Sequence, residues 1–183
     1  MPEFSQSQIS LARLSRLMAW FSAAGFVLVP AIIAVIFLYP DQSAALMFKL
    51  DHLGVPLDSS VPFAYRVAAL ICALIPAAFT MWALWSLRTL FLHYAQGDVF
   101  SRAAFSALNH VAIALFAGVI MGFVMQAPIS AILSWHLGAG HRAISLGFGS
   151  GDISTLFIAG VVLVIARVMA EARRVADENE SFV

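Results

Sequence analysis

His93 and His110 flank the short segment Gln96–Phe100, and paired histidines on neighbouring helices are the ligand set of a bis-histidine haem. Gly97 lies four residues beyond His93, while Ser101 lies nine before His110. At 1.5 Å per residue their depths therefore differ by about 7 Å, which argues against shared ligation. His52, His136 and His141, with Asp51 or Asp152, have the donor types of a zinc site. They are spread over separate loops without compact ligand spacing, and polar loop residues are the plainer account. Gly147-Phe148-Gly149-Ser150-Gly151 is rich in glycine but lacks the lysine of a phosphate loop and follows no strand, so it reads as a flexible connection. With no nucleophile–base pair, paired carboxylates or metal-protease motif, the chain is expected to be no enzyme and to carry no cofactor.

The elements that must position these groups follow from composition. Of the 183 residues 62% are hydrophobic and 11% charged, whereas globular domains carry about 25% charged residues. The net charge is zero, so no basic excess favours direct nucleic-acid binding. Apolar runs at Leu17–Tyr39, Val67–Leu87 and Val111–Trp135 are each long enough to cross a bilayer core of about 30 Å. A fourth, Ile153–Ala166, is too short unless its helix continues to Ala170. The expected fold is an all-α, integral membrane four-helix bundle running up-down-up-down. Its spans are placed at 14–39, 63–94, 102–135 and 153–175, with outer loops at 40–62 and 136–152, a hairpin at 95–101 and a tail at 176–183.

Local signals mark the boundaries. Gly97 suits a helix C-terminus, Ser101 an N-cap, Ser59-Ser60 before Pro62 the start of the second helix, and Asp152 the N-cap of the fourth. With the N-terminus inside, Arg13, Arg16, Arg88, Arg102, Arg167, Arg173 and Arg174 collect on the cytoplasmic face, against Lys49, Arg66 and Arg142 outside. This bias predicts that both termini are cytoplasmic, in a bacterial inner membrane. The first apolar run exceeds a signal-peptide core and reads as a retained anchor. Cys72 is the single cysteine, so no intramolecular disulfide is expected.

Within the spans, Pro30, Pro76 and Pro128 each remove a backbone donor. Gln126, two residues before Pro128, has an amide able to bond a carbonyl that the proline frees. Either these prolines line a cavity through a broken helix, or they reflect the tolerance of membrane helices for proline. Arg167 is the charge least comfortably placed. Counted from Ile153 it lies about 21 Å along a helix that must cross about 30 Å, so it snorkels or serves an intramembrane path. Glu171 is its expected (i, i+4) partner. Gly118 and Gly122 form a small-xxx-small pair for close helix approach, within the bundle or between two copies.

The strings Gly97-Asp98-Val99-Phe100-Ser101 into Ala107-Leu108, Ser150-Gly151-Asp152, and the ending Ala176-Asp177-Glu178-Asn179-Glu180-Ser181-Phe182-Val183 resemble the bacterial membrane family catalogued as domain of unknown function 2975. The resemblance implies four spans and, from gene arrangements in that family, a helix-turn-helix transcription regulator as partner. It supplies no catalytic residues. The expected role is a regulatory or interaction protein signalling to a soluble cytoplasmic partner through the tail and hairpin. The alternative is a small-molecule or cofactor-binding membrane protein using Arg167, Gln126 or His110, or a dimeric transporter joined at Gly118 and Gly122.

Overall fold

A computed structural model describes residues 6–42, 57, 60–98, 101–137 and 144–180. They form α1 (Gln6–Leu38), α2 (Phe63–Ala95), α3 (Arg102–Ser134) and α4 (Ser150–Glu180), with a 3-10 turn at Trp135–Leu137. Among the described residues there is no strand. All four helices are long and apolar enough to cross a membrane, and the protein is a multi-pass membrane protein of the expected four-helix class. Helices α2 and α3 match the expected spans within a residue, whereas α1 begins at Gln6 and α4 extends from Ser150 to Glu180, past the apolar runs.

Packing follows chain order, α1 on α2, α2 on α3 and α3 on α4. Interiors of this kind are built from small residues, because lipid offers large apolar side chains the same environment as a core does. Ala69, Ala104, Ala114, Ser130 and Ser134 are fully buried, whereas Trp20, Phe21 and Phe157 face outward. One apolar cluster joins Ile36, Phe37, Val61, Ala69, Ile129 and Leu133; a second, beneath the hairpin, joins Leu90, Ala104 and Ala107.

Three close approaches set the register. A Cβ on Gly118 would stand 3.3 Å from Phe79 Cβ, one on Gly122 would stand 4.0 Å from Pro76 Cβ, and one on Gly25 would meet Leu84 at 3.3 Å. The glycine pair of α3 is thus used against α2 of the same chain. Arg66 donates from Nη1 to the Leu38 carbonyl (3.2 Å), placing a cation on the C-terminal end of α1, and its guanidinium lies 5.7 Å from the Phe63 ring centroid.

The α2–α3 hairpin is capped as expected. Gly97 adopts φ +84, which a side chain would strain, and Ser101 Oγ accepts from the Ala104 N–H at 3.1 Å. The start of α2 differs: Pro62 occupies the N-cap and makes no side-chain cap bond, because fixed φ rather than a hydroxyl prepares that turn. Ser59 lies outside the described residues.

Candidate functional site

The informative site is built on one face of α3. Ser134, Ser130, Gln126, Gly122 and Gly118 recur every fourth residue and so share a single stripe of the helix. Ser134 and Ser130 donate back to the carbonyls of Ser130 and Gln126, both at 2.8 Å. Each hydroxyl still has acceptor capacity. Ser130 Oγ accepts from the Ser145 N–H at 3.0 Å, and Gln126 Oε1 accepts from the Gly147 N–H at 2.8 Å.

Those donors belong to residues 144–149, which run extended along α3 before α4 begins. One turn of α3 rises about 5.4 Å and two extended residues advance about 6.6 Å, so alternate amides meet successive rungs of the stripe. The next rung is Gly122, which has no acceptor. There the donor is met from the other side: Asp152 Oδ2 accepts from the Gly149 N–H at 2.9 Å. The side chains of this segment alternate too. Ser145, Gly147 and Gly149 turn toward the protein, while Ile144, Leu146 and Phe148 are exposed, and the Phe148 ring stacks on Phe123 at 4.4 Å.

The depth of this segment decides its meaning. Arg66 and Arg88 bound the uncharged stretch of α2, and they are separated by about 33 Å along the helix, close to a bilayer core of about 30 Å. In the register set by Phe79–Gly118 and Pro76–Gly122, Gln126 lies level with the region of Cys72. It is therefore about 9 Å to the membrane side of Arg66. Irregular backbone at such a depth survives only when protein or water meets its polar groups, and the α3 stripe meets two of these amides, Ser145 and Gly147, with side chains.

Several expectations change in consequence. Gly147–Gly151 is not a free outer connection: its first part lies against α3, since small residues are what allow backbone to approach the helix. Gln126 does not bond a carbonyl freed by Pro128; its oxygen takes the Gly147 amide. Asp152 is not an N-cap. Helix α4 starts at Ser150, and the Asp152 carboxylate reaches back to Gly149, the acidic half of a capping box.

Arg167, fifteen residues after Asp152, comes about 22 Å further along α4. It is exposed, and Glu171 pairs with Arg174 instead of Arg167. The geometry favours Arg174 because three residues carry it round to the same side of the exposed helix end. Asp152 is half-buried at the start of α4.

The remaining histidines are scattered. His110 is exposed beside Trp82, at 5.8 Å between rings; His93 faces Asp98 at 3.6 Å; His136 Nδ1 contacts the Leu133 carbonyl at 2.8 Å. His52, His141 and Asp51 lie outside the described residues, and so does the tail from Ser181.

Asp152 and Gln126 share a cavity of about 280 Å³ between α1 and α3, floored by α2 and lined by Ile33, Phe37, Pro76, Gly118 and Gly122 among others. Gln126 is 6% exposed. Two of the residues singled out from sequence, Gly118 and Gly122, thus meet Gln126 at one cavity, while Pro128, His110, Arg167 and Glu171 lie outside its lining.

The model of the family described as protein of unknown function, DUF2975, matches residues 41–183. The chain belongs to that family. The part shared with the DUF2975 family includes α2, α3, the extended segment and α4, hence every polar group of the site, whereas α1 precedes it. Neither the curated proteins nor the solved structures contain a match to the chain.

Sequence reasoning missed the α3 stripe and the extended segment. Both had a signal: polar or small residues at four-residue spacing in 118–134, and strict alternation of large apolar and small residues in Ile144-Ser145-Leu146-Gly147-Phe148-Gly149.

Proposed function

We propose that this multi-pass protein is a regulatory or interaction protein of a bacterial inner membrane, with both termini in the cytoplasm. In this reading it signals, without catalysing a reaction, to a soluble partner such as a helix-turn-helix transcription regulator. The observation that carries the reading is the length of α4. The helix continues unbroken to Glu180, so the residues beyond Arg174 add about 9 Å of helix. Exposed Arg13, Arg16, Arg102, Arg167 and Arg174 gather at this same end, around the hairpin. A projecting helix end carrying Asp177, Glu178 and Glu180 beside a basic rim offers both signs of charge for a partner surface to complement. A second copy is not needed, because Gly118 and Gly122 already serve the α2 contact.

The test is reciprocal capture from native membranes, with the regulator identified on both sides, followed by truncation after Arg174. Loss of the regulator on truncation is the expected result. Retention of the regulator at its full level would end this reading.

A further inference from the structure

The cavity beside α2 has the composition of a ligand site rather than of a packing defect. Its walls are mostly apolar, Pro76, Gly118 and Gly122 are among its lining, and besides Thr80 two polar groups line it. Gln126 offers the first. Its oxygen is taken by the Gly147 amide, and its Nε2 donors make no hydrogen bond among the described residues, although the side chain is 6% exposed. Asp152 offers the second. One carboxylate oxygen accepts from Gly149, and among the described residues no basic side chain pairs with it.

Charge decides the occupant. The N-terminus of α4 carries about half a positive charge, which offsets only part of a carboxylate. Exposed water screens such a remainder cheaply, but a groove in the bilayer does not. We propose that this groove binds an amphipathic amine: a protonated nitrogen against Asp152, an adjacent oxygen accepting from Gln126 Nε2, and an apolar body along Ile33, Phe37 and Gly122. A volume of about 280 Å³ equals the liquid share of about nine waters, so a head group and a short run of chain fill it and a longer chain continues into lipid. The site is independent of the docking surface proposed at the hairpin end.

The probe is 2-(decylamino)ethanol, titrated into the full chain in zwitterionic nanodiscs with empty nanodiscs subtracted. Its neutral counterpart, 2-(decyloxy)ethanol, replaces the ammonium by an ether oxygen and changes little else. The amine is expected to bind saturably and about tenfold or more tighter than the ether, the scale of a charge-assisted hydrogen bond. Asp152→Asn keeps an acceptor for the Gly149 amide and should abolish that preference. Gly122→Leu fills the groove and should remove saturable binding of both compounds. Equal affinity of the wild-type protein for amine and ether overturns the proposal, as does undiminished amine binding by Gly122→Leu. The wild-type comparison stands even if a variant fails to fold, and none of these readouts depends on a captured regulator.

Discussion

At one end of α3 the chain joins α2 within a few residues; at the other, residues 144–149 run back along the helix. The hairpin at Gln96–Ser101 meets its backbone needs locally, with Gly97 in the left-handed region and Ser101 capping within its own turn. The segment 144–149 meets them at long range, through Ser130 and Gln126 far away in sequence. The first connection is satisfied within its own turn, the second only by side chains of another helix. A polar side chain within a membrane helix is therefore a structural partner for neighbouring backbone before it is anything else.

The largest expected difference between the two connections is access. In a Cys72→Ser background, Asp98→Cys should react with a membrane-impermeant maleimide from one side of sealed vesicles. Leu146→Cys should resist it from both sides, although Leu146 is exposed at the protein surface. Equal labelling would place the 144–149 segment in water and remove the contrast.

Stability sharpens it further. Gln126→Leu strands the Gly147 amide in a low-dielectric setting and should cost about 1–3 kcal/mol in reversible unfolding from mixed micelles. Gly97→Ala meets no steric obstacle, since nothing lies within 4 Å of its Cβ position. It should lose only about 1 kcal/mol, the cost of a left-handed backbone, and Gly97→Asn less. If Gly97→Ala proved the more damaging of the two, the hairpin rather than the α3 stripe would be the stricter connection.

The smallest effect belongs to the exposed helix end. Glu171→Ala removes a surface pair with Arg174 and should change unfolding by no more than about 0.5 kcal/mol. Its modest size against Gln126→Leu would separate charges in water from polar groups in lipid.

How far the sequence could be read follows the same division. Gly97 and Ser101 were legible because their roles are satisfied within a few residues. The glycine pair Gly118 and Gly122 was legible as a packing feature, though not its partner. Asp152 was misplaced because a carboxylate after a glycine run has the signature of an N-cap, and whether it precedes the helix or reaches back from inside it depends on where the helix starts.

Alone, the sequence determined the solvent class, the number of helices and their antiparallel order, since apolar length and local caps are properties of consecutive residues. Only the tertiary structure decided that an extended segment lies along α3 ahead of the fourth helix, and that Asp152 and Gln126 share a cavity. The physical reason is that an unpaired amide in a bilayer must find its acceptor wherever one lies in space. Here the acceptors stand on α3, at separations of 15 and 21 residues along the chain, beyond the reach of any local pattern.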